Sequence, residues 1–300
     1  MIVICLFLGL FSESTFGIIP LKTYRFYPEK MGLIYKDLTV TTSDNLKIKT
    51  WFFPAQIKPS DQEKYMAWEN PVKKPYKTID NEKHPTIIIA NGDAGNMSYQ
   101  QLFFAQYFTN NGYNVVTFDW RGFGESSDWE MNTDYLVYTE LLTDYDAVIK
   151  EVLIQEEVDT SKIAVFAWST GAYLSMAASS KYDNIKCFAA IGLITSFNEV
   201  LPVLKQAQKK EDRNLIVPED YPKELQPLYL APNYNKATFL IVGENDDRSP
   251  VWMSEKLYSL LPDKKELWII KGAGHSVIAD NEVWNKVNER VTEFFDNNLK

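Results

Sequence analysis

Cysteine and histidine are scarce, with two of each in 300 residues. Cys5 lies in an apolar leader, and loss of that leader would leave Cys187 alone, so no intramolecular disulfide is expected. The two cysteines also lack the spacing of metal ligands. Cys187, just before Phe188-Ala189-Ala190-Ile191, reads as a small core residue. Positive charge is in deficit: 31 Lys and Arg against 40 Asp and Glu give a net charge of −9 and an isoelectric point near 5.0. An acidic surface repels phosphate backbones and offers nothing to anionic lipid, which argues against nucleic-acid partners and electrostatic membrane docking. With 13 glycines and 14 prolines the chain is neither collagen-like nor of low complexity.

Membrane-length apolar runs are also missing. The N-terminal run Ile2 to Phe11 covers ten residues, about half of the ~20 that a spanning helix needs. It has the length of a signal-peptide core. Ser12-Glu13-Ser14-Thr15-Phe16-Gly17 follows, with a cleavage point expected after Gly17, although the leader has no Lys or Arg before its apolar run. Residues 1–17 are therefore read as an export signal and 18–300 as one domain. A buried N-terminal strand and cytoplasmic residence form the alternative. What the chain does have is core material: 45% hydrophobic residues, including 17 Phe, 17 Tyr and 8 Trp. That excludes general disorder.

Ile34 to Thr41 reads as a strand. Ser43-Asp44-Asn45 reads as a turn, and Leu46 to Phe53 as a second strand with Leu46, Ile48 and Thr50 on one face and Lys47, Lys49 and Trp51 on the other. Residues 55–85, punctuated by Pro59, Pro71, Pro75 and Pro85, read as a surface insertion whose Tyr65, Met66 and Trp68 can cover a site or nearby core. Strands and helices then alternate. Strands are expected at Thr86–Ala90, Asn114–Trp120, Lys162–Trp168, Phe188–Thr195, Ala237–Gly243 and Glu266–Lys271. Helices are expected at Ser98–Asn111, Thr133–Glu156, Thr170–Tyr182 and Val251–Leu261, with Val283, Val287, Val291 and Phe294 marking a closing helix. Such alternation predicts a mostly parallel sheet with helices on both faces. Residues 196–235 break the rhythm and read as a small lid-like insertion or a plain connector.

Ligands in such sheets sit at the carboxyl ends of the strands, so the residues after each strand matter most. Ala167-Trp168-Ser169-Thr170-Gly171 places a serine at a sharp strand-to-helix turn. Small residues two before and two after that serine are what a nucleophile elbow needs for strand and helix to touch. The plainer role for Ser169 is a helix N-cap. Gly243-Glu244-Asn245-Asp246-Asp247 carries two carboxylates after a strand, and either could orient a histidine, cap the next helix or pair with Arg248. Lys271-Gly272-Ala273-Gly274-His275 carries the one histidine placed to serve Ser169. His84 precedes a strand, at the wrong end, and reads as a surface residue. The order is Ser169, Asp246, His275.

These motifs, with two more, give the stretch from about Ile34 to Leu299 its resemblance to the α/β-hydrolase superfamily. It looks closest to the branch of serine aminopeptidases and monoacylglycerol lipases. Asn91-Gly92-Asp93-Ala94-Gly95-Asn96 stands where that branch has its His-Gly oxyanion loop, and Asp119-Trp120-Arg121-Gly122-Phe123-Gly124-Glu125-Ser126 is similar to its Asp-x-Arg-Gly-x-Gly-x-Ser segment, in which Arg121 is expected to pair locally. The resemblance implies an α/β-hydrolase fold with an N-terminal antiparallel hairpin and selects Asp246 over Asp247. It also implies backbone N–H donors at Asp93 and Thr170 for an oxyanion hole. Three residues depart from the pattern: Ala167 replaces the first elbow glycine, Asn91 replaces the loop histidine, and Asp93 brings a carboxylate beside a developing negative charge.

The expected activity is acyl transfer to water from an ester, thioester or amide by Ser169, His275 and Asp246, with no metal or organic cofactor. The expected partner is a small acyl substrate or short peptide. The alternative is a binding protein that kept the fold and lost useful catalysis.

Overall fold

Local apolar patterning is resolved into elements as follows. The computed structural model describes residues 17–59, 75–207 and 214–300. Its strands are β1 (Ile19–Pro20), β2 (Lys36–Thr41), β3 (Lys47–Phe53), β4 (Gln56–Ile57), β5 (Lys77–Thr78), β6 (His84–Ala90), β7 (Ala94–Gly95), β8 (Asn114–Phe118), β9 (Val158–Trp168), β10 (Ile185–Ile191), β11 (Ala237–Gly243) and β12 (Lys265–Ile270). Its α-helices are α1 (Gln100–Thr109), α2 (Leu141–Ile154), α3 (Thr170–Ser179), α4 (Phe197–Ala207), α5 (Pro227–Leu230), α6 (Val251–Leu260) and α7 (Asn281–Leu299).

Eight strands form one sheet in the order β12-β11-β10-β9-β6-β8-β3-β2. All neighbours run parallel except at β3, which is antiparallel to both β2 and β8. The central strands are unbroken apolar runs because both of their faces are covered; Ile87, Ile88 and Ile89 are all buried. One face packs against α1 and α7 through Leu102, Phe104, Val287 and Val291. The other packs against α2, α3 and α6 through Leu141, Tyr145, Leu174 and Leu257. Cys187 is free and buried in β10, in register with Ala237, and burial pushes its thiol up to about 12, which leaves it inert.

Several expectations change. Trp51 was expected on the polar face of β3 but is buried. The N-terminal stretch covers that face, with Tyr24 and Tyr35 edge-on to the indole at 5.1 and 5.9 Å. The helix expected from Thr133 starts instead at Leu141. Residues 134–136 bond elsewhere: Ile216 N–H donates to Asp134, Leu136 N–H donates to Ile216, and Ile18 N–H donates to Tyr135. Those tertiary bonds outweigh local helix propensity. β9 begins at Val158, four residues before the expected start. At the ends of the 55–85 insertion β4 and β5 pair antiparallel, while Tyr65, Met66 and Trp68 lie outside the described residues, as do residues 1–16 of the leader. Among the described residues no helix is long and apolar enough to cross a membrane.

Candidate active site

The site is built where β9, β10, β11, β6 and β12 end. Ser169 follows β9 and immediately precedes α3, with φ 53° and ψ −130°. L residues rarely adopt this backbone, and it costs about 1–3 kcal/mol. Its N–H donates to Ile191 in the neighbouring strand at 2.8 Å, and its carbonyl accepts from Tyr173 N–H. Ser169 makes no side-chain cap bond to α3, so the N-cap alternative does not describe its hydroxyl. The small flanking residues have a steric cause. A Cβ on Gly171 would overlap the carbonyl oxygen of Asn91. Ala167 is fully buried in register with Ala90 on one side and Ala190 on the other, so its methyl group finds room among alanines.

β11 delivers the acid. Asp246 is buried and Asp247 is exposed. Asp246 Oδ1 accepts the N–H groups of Arg248 and Ser249 at 2.9 and 2.8 Å, and Oδ2 accepts the Ser249 hydroxyl at 2.8 Å. The loop after β12 brings His275 into line, with Nδ1 2.9 Å from Asp246 Oδ2 and Nε2 3.1 Å from Ser169 Oγ. Burial pushes the Asp246 carboxyl up, but its interactions with His275 and the two backbone N–H donors outweigh it. The group is held below the usual carboxylate range. Ser249 escaped the sequence reading. Its hydroxyl bonds the acid and lies 3.4 Å from His275 Nδ1, and a serine next to Pro250 carries no signal of its own.

The loop after β6 lies across from the serine. The Asn91 side chain donates to Ala94 at 2.9 Å and braces the turn. Gly92 brings the loop against β9: a Cβ there would sit 3.2 Å from the Trp168 ring and 3.6 Å from Ser169 Cβ. Asp93 and Thr170 both line the same cavity as Ser169 and His275. Burial raises the Asp93 carboxyl above its ordinary range, while Arg248 and His275 pull it back. The cavity is about 520 Å³ including space open to solvent. Much of its lining is apolar or aromatic, supplied by Leu136, Tyr173, Ile194, Phe197, Val200 and Leu204. Phe197, Val200 and Leu204 come from α4, inside the expected lid-like insertion. Leu201 of the same helix packs beside the buried Val200 and Leu204.

Two other sequence-selected groups are away from this chemistry. His84 bonds Asp80 at 2.8 Å at the start of β6. Arg121 was expected to pair locally but is buried between Asp144 of α2 and Asp44 of the hairpin turn. Among the described residues no cluster of His, Cys, Asp or Glu can hold a metal ion.

Comparison with known proteins decides the family. The model of the prolyl oligopeptidase family matches residues 98–300. The chain belongs to the prolyl oligopeptidase family. It is therefore a serine hydrolase of the α/β-hydrolase superfamily, as the sequence resemblance implied. This family member is 27% identical over 235 residues to the uncharacterized protein YfhR of Escherichia coli O157:H7, covering 78% of this chain and 71% of that one. Its fold is similar to that of the Pyrococcus furiosus esterase Pf2001, with a TM-score of 0.66, 22% identity and coverage of 94% and 100% of the two chains. A Mycobacterium tuberculosis puromycin-hydrolyzing peptidase gives a TM-score of 0.66 at 18% identity, over 89% of this chain and 39% of that one. Both structural likenesses speak to the fold.

Proposed function

We propose that this serine hydrolase cleaves a carboxylic ester, thioester or amide through an acyl-enzyme on Ser169. Support comes chiefly from one observation, the unbroken hydrogen-bonded line from Ser169 Oγ through His275 to Asp246, with links of 3.1 and 2.9 Å. In this reading His275 Nε2 takes the Ser169 proton as Oγ attacks the carbonyl carbon. Asp246 holds Nδ1–H, fixes the tautomer and stabilises the imidazolium that forms. The backbone N–H groups of Thr170 and Asp93 hold the oxyanion; one such donor is typically worth about 3–4 kcal/mol. Thr170 opens α3, where the helix dipole also favours negative charge. The imidazolium then protonates the leaving group, and water repeats the cycle on the acyl-enzyme.

The apolar lining of the cavity supports an apolar acyl group as the substrate part beside Ser169, with α4 acting as a lid. The leader Ile2–Phe11 supports export to the periplasm or beyond. Kinetics with a panel of p-nitrophenyl esters and aminoacyl anilides tests the chemistry. Ser169→Ala and His275→Gln should each lower kcat roughly 10⁴-fold or more while the melting temperature stays within a few degrees of wild type. Unchanged kcat in either variant overturns the assignment.

A further inference from the structure

We propose that the N-terminal segment Ile18–Arg25 is a strap that positions the loop of the oxyanion donor, and that Ile19 is its key positioning residue. The inference rests on the reading of Asp93 as that donor. It comes from a run of bonds that follow one another in register.

The loop from Asn91 to Tyr99 leaves β6 and enters α1 with only short bonds of its own, from Asn91 Nδ2 to Ala94 and from Tyr99 N–H to Asn96 among them. Buried backbone groups must be bonded somewhere, and the strap supplies the partners. β1 lies parallel to β7, with Ile19 opposite Ala94 and Pro20 opposite Gly95. Ile19 N–H donates to the Asp93 carbonyl at 2.7 Å, and Leu21 N–H donates to the Gly95 carbonyl at 3.1 Å. Asn96 Nδ2 donates to the carbonyls of Leu21 and Thr23, both at 2.9 Å. Asp119 bridges the next step: it accepts Met97 N–H at 2.7 Å and the Tyr24 hydroxyl at 2.5 Å. Arg25 N–H closes the run on Ser98 Oγ at 2.9 Å. Strap residues 19–25 thus follow loop residues 93–98 in order.

The strap is itself anchored. Ile18 is fully buried and donates to the Tyr135 carbonyl at 3.1 Å, and Gly124 N–H donates to the Leu21 carbonyl at 3.0 Å. Gly17, just before the strap, lines the cavity that holds Ser169 and His275. Neither the strap nor residues 91–97 fall within the part of the chain that matches the family. The bond from Ile19 acts on the carbonyl of the residue whose N–H would face the oxyanion. That carbonyl belongs to the Asp93–Ala94 peptide, so the bond acts on the donor's own peptide, Gly92–Asp93, through the shared Cα of Asp93; a shift of that Cα by a few tenths of an ångström would weaken a donor whose worth depends on geometry. A leader cut after Gly17 keeps every strap contact; a cut after Leu21 removes the bonds of Ile18, Ile19 and Leu21.

The test compares Ile19→Pro, which removes the N–H, with Ile19→Val, which keeps it. Kinetics and hydrogen–deuterium exchange of the full chain are the readouts. Ile19→Pro should lower kcat about 10- to 100-fold with KM changed by less than about threefold, and exchange should speed up across residues 91–99 but not in α7. Ile19→Val should stay within about twofold of wild type on both. Where Ile19→Pro does not fold, Tyr24→Phe carries the test. It removes the hydroxyl from Asp119, and exchange at Met97 should rise with a several-fold fall in kcat. Loop exchange that stays at the wild-type level, or that rises with kcat unchanged, overturns the strap. Failure of the hydrolase reading shows separately, as an absence of serine-directed labelling in the wild-type protein.

Discussion

Ser169 holds a backbone conformation that costs energy, and the residues around it make that conformation possible. Gly171 gives up a side chain so that α3 can press on the Asn91 carbonyl, and Gly92 lets the facing loop approach from the other side. Gly171→Ala must push the Asn91 carbonyl away. It should destabilise the protein by about 2 kcal/mol, within the range for overpacking, and move the loop beside the serine. Thermal unfolding and esterase rate together check this, and both should fall. At Asp246 the sign of the pH effect follows from its lowered pKa. An unfolded Asp titrates near ~3.9, so the folded carboxylate stabilises the protein above that pH, and its contribution is lost as pH falls through the lower folded value. The stability gap between wild type and Asp246→Asn should therefore be largest near neutrality and shrink below pH ~4. A gap that widens in acid would contradict the assignment of His275 and the two N–H donors as the cause.

At the scale of elements, tertiary partners decide what local patterning leaves open. The Arg121 guanidinium joins α2 to the hairpin turn, donating to Asp144 and Asp44. Asp144 is fully buried, so Asp144→Ala leaves a buried arginine without its main partner and should cost about 3–5 kcal/mol. Chemical denaturation checks this, with wild-type denaturant slope and a lower midpoint expected. The boundaries of β11 were legible because seven consecutive residues, Ala237–Gly243, are apolar or small and end at a glycine. The face of Trp51 was not legible, since its cover comes from Tyr24, in a stretch with no periodic pattern, and from Tyr35, whose approach to the indole depends on how the chain before β2 folds back. The start of α2 was missed for a related reason: Tyr135 and Leu136 fit a helix by themselves, and only their bonds to Ile18 and Ile216 take them out of it. The strap was invisible for the same cause, because it acts on residues brought near only by folding, whereas Ser249 is a chain neighbour of Asp246 whose contact with His275 alone depends on the fold.

At the scale of the molecule, the parallel sheet collects the carboxyl ends of β6, β9, β11 and β12, and with them Asp93, Ser169, Asp246 and His275. Three residues spaced 77 and 29 positions apart become neighbours because each follows a strand that ends on the same edge. That explains why the residues that follow each strand, taken in chain order, pointed to Ser169, His275 and the Asp246–Asp247 pair, with the family resemblance selecting Asp246. The substrate was less legible, because the cavity wall draws on α4, α3 and the loop at Leu136, three segments whose packing no local pattern specifies. The whole account turns on whether Ser169 is activated. Labelling the purified protein with a fluorophosphonate probe and mapping the adduct by mass spectrometry tests this most directly. A single adduct on Ser169, absent in Ser169→Ala and suppressed in His275→Gln, is the predicted result. A folded protein that takes no label, or an adduct on another serine, would contradict it.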